Sequence, residues 1–347
     1  MVRVALDLLG GDRAPESVVE GALLALAADP DLEVLLVGPV DVAERLLAGR
    51  CGVGRPDAAR CALVGASQVV EMDEDPARAV RAKRDATVRV AARLVRDGRA
   101  DAVVSIGSTG AALAAAVFTM GRLRGMSRPG LAIVVPARTG YLVLLDAGAT
   151  TEASPELLAQ FALAGVAFAQ VRLGLPRPRV GLLSNGEEVG KGDPLRKAAF
   201  EALSALPVDF VGNVEGGDVP EGGPADVVVT DGFTGNVLLK GLEGAAAMVT
   251  ATLLDALRAA PDGTAATHDL MPVLTEVAAA LLPEDLGGGV LLGVDGVVVV
   301  GHGSSTPRAV ASCVRVAAQT AREGVVPALK DALAALAAKR ETVEELA

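Results

Sequence analysis

The amino-acid sequence predicts an α/β protein built on a mainly parallel sheet. Three observations predict it. Short runs of apolar, β-branched residues recur along the chain. Each run empties into a loop rich in glycine, hydroxyl and amide residues, and each loop hands over to a helical pattern. Continuous apolar runs mark strands buried on both faces, and alternation of strand with helix is the α/β order.

Six such units follow one another. Residues 2–8 lead through Gly10-Gly11-Asp12 into a helix over 15–27. Residues 101–106 lead through Gly107-Ser108-Thr109-Gly110 into a helix over 111–120. Residues 142–145 pass into Asp146-Ala147-Gly148-Ala149-Thr150 and a helix from 155. Residues 180–183 pass into Ser184-Asn185-Gly186-Glu187-Glu188, then Gly190-Lys191-Gly192-Asp193 and a helix. Residues 227–230 pass into the loop Asp231-Gly232-Phe233-Thr234-Gly235-Asn236, and residues 297–300 into Gly301-His302-Gly303-Ser304-Ser305 before a helix from about 307. Loops at the carboxyl ends of parallel strands open onto one crevice, so the six loops are expected to build one shared site.

The stretch 244–282 breaks this order. "AAAMVTATLLDALRAA" and "HDLMPVLTEVAAALL" read as two helices around the turn Pro261-Asp262-Gly263-Thr264. The expectation is a single domain over 1–347 with a helical hairpin over 244–285 projecting from it. Its apolar residues exceed one core-facing stripe, which suggests a second buried face against another subunit or a membrane surface.

Composition excludes several classes. The 347 residues include six Phe, one Tyr and no Trp, so platforms for stacking nucleobases are scarce. A net charge of −11 also opposes binding to a phosphate backbone, and no nucleic-acid partner is expected. Cys51, Cys61 and Cys313 show no paired or C-x-x-C spacing, which fits a reduced cytoplasmic compartment. With two histidines, His268 and His302, and no cluster of aspartates, no metal site is expected. Residues 102–121 carry no charge, but the Ser105-to-Gly110 interruption reads as strand, turn and buried helix rather than a membrane span.

The loops suit an anion. Glycine-rich turns at helix N-termini expose backbone N–H groups where negative charge is favoured. Lys191 lies between two glycines in "GEEVGKGD", and it is one of only six lysines. A lysine point charge with loop amides suits inorganic phosphate or a phosphorylated substrate, although a lysine on a surface loop needs no such role. Asn236 reads either as a helix N-cap or as an amide donor to a developing oxyanion. His302 reads as an acid–base group or as an imidazole bonded within its loop. No G-x-S-x-G elbow, Walker-type loop or G-x-G-x-x-G fingerprint is present. Eight Arg or Lys residues fall between 78 and 99, either a solvated helix face or a basic patch for an acidic partner.

The motifs "ALDLLGGDRAP", "AVRAKRDATVRVAARLV", "VVSIGSTGA", "LLDAGA", "VGLLSNGEEVGKG", "VVVTDGFTGNVLLK" and "GHGSSTPRAV" occur in an order that resembles the bacterial phosphate acyltransferase (PlsX) family. The resemblance spans residues 5 to about 310. The chain departs from the family at Leu9, often Met, and at Ser108, often Asn. It also has Gly148-Ala149-Thr150-Thr151-Glu152-Ala153 where many members read Gly-Ala-Asn-Val-Asp-Cys.

The resemblance implies a three-layer sandwich like that of isocitrate and isopropylmalate dehydrogenases, with a protruding helical hairpin. It implies transfer of a long-chain fatty acyl group from acyl carrier protein to inorganic phosphate, giving acyl phosphate for phospholipid synthesis, with no cofactor. It further implies a homodimer and peripheral contact with the cytosolic face of the membrane. On this basis Lys191 and Asn236 are the expected catalytic residues. Gly10, Gly11, Asp12, Thr109, Gly110, Gly186, Glu187, Asp231, Thr234, Gly235, His302, Gly303 and Ser304 are the expected phosphate and substrate contacts. Arg78, Arg81, Lys83 and Arg84 are candidates for docking the acidic carrier protein. A phosphotransacetylase-like enzyme using coenzyme A thioesters, a metal- and nicotinamide-dependent dehydrogenase and a non-enzymatic membrane scaffold are the alternatives.

Overall fold

The computed structural model describes residues 1–50, 59–259, 270, 272, 273, 276, 277 and 286–346. Its strands are β1 (Val2–Asp7), β2 (Leu32–Gly38), β3 (Cys61–Gly65), β4 (Ala102–Ser105), β5 (Gly130–Ala137), β6 (Gly140–Leu145), β7 (Arg179–Leu183), β8 (Asp209–Val214), β9 (Val227–Val229), β10 (Gly289–Leu292) and β11 (Val297–Val300). They form one 11-stranded sheet in the order β3-β2-β1-β4-β11-β10-β5-β6-β9-β7-β8. The expected mainly parallel sheet is present. The β11–β10, β10–β5 and β5–β6 pairs are antiparallel, and the remaining pairs are parallel.

Helices cover both faces. On one face lie α1 (Glu16–Ala28), α2 (Val40–Arg50), α6 (Pro155–Arg172), α7 (Pro194–Ser204), α10 (Pro307–Glu323) and α11 (Val325–Leu346). On the other lie α3 (Pro76–Ala82), α4 (Thr87–Arg96), α5 (Thr109–Thr119), α8 (Asp218–Glu221) and α9 (Gly232–Ala259). The strand residues divide alternately between the two cores. In β11, Val297 and Val299 face the first while Val298 and Val300 face the second. An all-valine strand is therefore the local consequence of having helices on both sides. The small helix residues allow close approach. A Cβ at Gly21 would lie 2.5 Å from the Val310 Cβ, so α1 and α10 pack nearly backbone to side chain.

Helix starts follow from sequence. Ser154, Asp193 and Thr306 each accept a hydrogen bond from the backbone N–H three residues on, and each is followed by proline at the first helical position. α9 is different from the expectation. It begins at Gly232, so Phe233 to Asn236 form its first turn rather than a preceding loop. Asp231 caps it by accepting from the Thr234 N–H at 2.9 Å, which removes Asn236 as the cap. Half of the expected hairpin over 244–285 lies outside the described residues. Its first arm, through Ala259, is the outer part of α9. The basic stretch 78–99 is two helices, α3 and α4, joined by a turn.

Candidate active site

The six loops do not share one edge of the sheet. Three antiparallel pairings separate β11 from β6, so the carboxyl ends of β1, β4 and β11 point one way and those of β6, β9 and β7 point the other. Each half has its own switch point. At the first edge β1 feeds α1 on one face and β4 feeds α5 on the other. At the second edge β6 feeds α6 on the first face and β9 feeds α9 on the second. Such points leave a crevice between diverging loops.

The first crevice joins three of the expected loops. Asp12 N–H donates to the Gly303 carbonyl at 2.8 Å, and Gly301 N–H donates to the Ser105 carbonyl at 2.9 Å. Gly10 must stay small: a Cβ there would lie 2.8 Å from the Gly107 nitrogen. Gly11 adopts φ of 102°, a left-handed conformation that disfavours any other residue. Gly110 packs its α-carbon face against Pro76, which sets the start of α3 beside the start of α5. His302 Nδ1 lies 2.8 Å from the Ser304 Oγ, so the imidazole is bonded within its own loop.

Beneath these loops is a cavity of about 180 Å³. Its lining includes Asp7, Gly10, Gly11, Asp12, Ser105 and Ser108, with Val69, Val70, Met72 and Val88 as an apolar wall. Asp7 and Ser105 were not among the expected site residues. The Ser105 hydroxyl lies 2.7 Å from Asp7 Oδ2. Burial pushes the Asp7 carboxyl above its ordinary value, although the Thr87 and Ser105 hydroxyls and the Leu9 and Gly10 amides oppose this.

The second crevice is organised around Arg196, which sequence reasoning also missed. Its guanidinium is buried, donates to Thr230 Oγ1 at 3.1 Å and Thr234 Oγ1 at 2.9 Å, and forms an ion pair with Asp231. A second arm reaches Asp193 Oδ2 at 2.9 Å. Burial pushes Asp231 upward, but the Thr234 amide and hydroxyl and the Arg196 charge outweigh it and hold the carboxyl below its usual range. Asp146 is also buried and accepts four backbone N–H groups, from Leu131, Gly148, Ala149 and Thr150. Its carboxyl is pushed up by burial against those bonds. A Cβ on Gly235 would collide with the Asp146 carbonyl oxygen, which explains glycine in the first turn of α9. Asn236, exposed on the next position, sits over Gly148.

The Lys191 loop hangs beside this crevice. Gly190 and Gly192 have φ of 91° and 95°, and Asn213 Nδ2 anchors the loop at the Glu188 carbonyl at 3.0 Å. Gly186 is buried against the Lys191 side chain, and Glu187 is exposed. The Lys191 ammonium is half-exposed and 3.8 Å from Glu188, a loose pair that leaves it able to reach a ligand. The buried Ser184 Oγ and Asn213 Oδ1 close by have no protein partner. Among the described residues no group of three or more His, Cys, Asp or Glu could hold a metal ion.

The docking candidates split. Arg78, Arg81 and Arg84 are exposed, with Arg81 4.4 Å above the Phe118 ring. Lys83 is not a free docking cation: its ammonium is held by Glu74 at 2.5 Å and the Val69 carbonyl at 2.8 Å. Arg89 and Arg93, within the same basic stretch, donate to carbonyls of Val80 and Arg84 and so serve the fold.

Known proteins bear on this arrangement. A family model described as "Fatty acid synthesis protein" matches residues 2–328. The chain is 42% identical over 342 residues to a phosphate acyltransferase of Desulfitobacterium hafniense (strain Y51), covering 98% of this chain and 100% of that one. The chain belongs to the phosphate acyltransferase family. The family's enzymes are acyl-transferring enzymes of fatty-acid and lipid synthesis, and the present chain is one of them. The fold likeness extends further. A Streptococcus pyogenes phosphotransacetylase superposes with a TM-score of 0.60 at 18% identity, covering 93% of this chain and 94% of that one. A Klebsiella pneumoniae 4-hydroxythreonine-4-phosphate dehydrogenase does so with 0.50 at 15%, covering 92% and 98%. These agree with the three-layer, dehydrogenase-like sandwich expected of a phosphate acyltransferase.

Proposed function

We propose that this phosphate acyltransferase moves a long-chain fatty acyl group from acyl carrier protein to inorganic phosphate, releasing acyl phosphate for phospholipid synthesis. The observation that carries the reading is the pairing of one half-apolar crevice with one that offers a reachable cation. Phosphate is itself the nucleophile, so no serine or cysteine nucleophile is needed. The task is to position phosphate, stabilise the oxyanion formed at the thioester carbonyl, and release a thiol. The glycine loops and the cavity of the first crevice suit the acyl thioester. Lys191 holds phosphate, and the Asn236 amide donates to phosphate or to the oxyanion.

Because the two crevices face opposite ways, one chain does not bring Lys191 to its own cavity. A homodimer in which the second crevice of one copy faces the first crevice of the other supplies the complete site. The long helix α9 has the surface for such contact: Phe233, Val237, Met248, Val249 and Leu253 are all exposed. Residues 232–256 are also apolar and long enough to cross a membrane by length and composition alone. We read this helix as the element for dimer contact and for peripheral contact with the cytosolic membrane surface. Arg78, Arg81 and Arg84, exposed on and just after α3, suit an acidic carrier protein.

The test is acyl-phosphate formation from palmitoyl-acyl carrier protein and phosphate. Wild-type activity that collapses in Lys191→Ala supports the reading. Activity with palmitoyl-coenzyme A alone would favour a phosphotransacetylase-like donor. Liposome binding without activity toward either donor would favour a scaffold.

A further inference from the structure

The first cavity has an unusual charge for a site of acyl transfer to phosphate. Among the described residues, the titratable groups on its wall are Asp7, Asp12 and Glu71, and no Lys, Arg or His lines it. Asp12 and Glu71 are exposed at the mouth, whereas Asp7 is only 3% exposed. Each hydrogen-bond partner of Asp7 is a hydroxyl or an amide: Ser105, Thr87, Leu9 and Gly10. A thiolate expelled beside these carboxyl groups meets like charge, and with the Lys191 of a second copy engaged by phosphate its departure is eased by a proton.

We propose that Asp7 is a catalytic residue, the acid that protonates the thioester sulfur as the carbon–sulfur bond breaks. The inference rests on the acyl-transfer reading above. The proton balance closes without any further reactant. An oxygen of hydrogen phosphate bonds to the acyl carbon, and the carbon–sulfur bond breaks with its electron pair going to sulfur. Sulfur takes the Asp7 proton, directly or through the Ser105 hydroxyl. Asp7 is restored by the proton that hydrogen phosphate gives up on becoming an acyl phosphate dianion. Between those events the carboxylate is held by the Ser105 hydroxyl and the Leu9 N–H, bonds already in place. Burial, which raises the affinity of this carboxyl for its proton, acts in the same direction.

The experiment compares two donors in single-turnover assays of wild type and Asp7→Asn. One is palmitoyl-acyl carrier protein, whose thiol needs a proton to leave. The other is the palmitoyl thioester of 4-nitrothiophenol, whose thiolate leaves unaided. The variant should lose on the order of 100- to 10,000-fold with the carrier-protein donor and less than about tenfold with the activated one. The solvent deuterium isotope effect on transfer from the carrier protein should be present in wild type and reduced in the variant. Ser105→Ala, which keeps the carboxyl but removes its hydroxyl partner, should show the same donor dependence more weakly, and it serves if Asp7→Asn does not fold. Equal losses with both donors, an unchanged isotope effect, or a variant as fast as wild type would overturn the role of Asp7. A wild-type enzyme that forms no acyl phosphate from either donor would overturn the reading beneath it.

Discussion

Replacing Arg196 with methionine should destabilise the protein far more than an ordinary arginine substitution. The Arg196 side chain is 9% exposed and that of its partner Asp231 is 7% exposed. Methionine fills part of the volume but leaves Asp231 buried without its cation, and leaves Thr230 and Thr234 without a donor. Breaking a buried pair from one side costs about 3–5 kcal/mol. At roughly 2 °C per kcal/mol for a large domain, the thermal midpoint should fall by about 6–10 °C. The second change that isolates the charge is Asp231→Asn, because asparagine keeps the helix cap that Asp231 gives to Thr234. The double variant Arg196→Met/Asp231→Asn should recover more than half of the loss. The assay is urea unfolding followed by circular dichroism for wild type, both single variants and the double variant. Additive losses, or a single-variant cost below about 1 kcal/mol, would refute the argument that an uncompensated carboxylate dominates.

Asn236→Ala should lower acyl transfer on the order of 100- to 1000-fold with an unchanged melting temperature, since the side chain is exposed and caps nothing. Gly235→Ala should destabilise the protein in a thermal melt, because its Cβ meets the Asp146 carbonyl. Acid should weaken the fold through Asp226 as well as Asp231. Burial raises Asp226, but the Arg179 guanidinium and N–H outweigh it, so its carboxyl sits below 3.8. The stability this contributes is present above the ordinary aspartate range and is lost as pH falls through the lowered value. Arg179→Met should flatten that part of the pH–stability curve. Cys313 is buried and its thiol is pushed up to about 12, so it should stay unlabelled by Ellman's reagent until the protein unfolds.

Much of the fold could be read from residue order, and the reasons are local. β1, β4, β6, β7, β9 and β11 were expected because each is a mainly apolar run ending at a glycine-bearing loop. β10 and β5 were not singled out, and these two strands reverse the direction of the sheet. Pairing direction depends on contacts between distant segments, which local pattern does not carry, so the expectation of one shared crevice failed on them. The residues proposed for the site follow the same division. Loop glycines, Lys191 and Asn236 were visible because their composition is unusual for their setting. Asp7, Ser105 and Arg196 were hidden because each looks ordinary in sequence: an acid ending a strand, a serine after valines, and an arginine in a first helical turn. The available signal for Arg196 was its place two residues after Pro194, behind the Asp193 cap, where a cation is poorly placed for the helix dipole and so calls for another partner.

The position of β11 has a consequence for how the chain is made. This strand lies between β4 and β10, yet it leaves the ribosome after all the other described strands. Until Val297–Val300 emerges, β4 offers an open, apolar edge, and only then can the valine strand join both halves into one sheet. Such a delayed, long-range pairing makes a nascent chain slow to close and exposed to edge-to-edge association. Ribosome-bound chains ending before β11 should therefore be the form of this enzyme most in need of a chaperone.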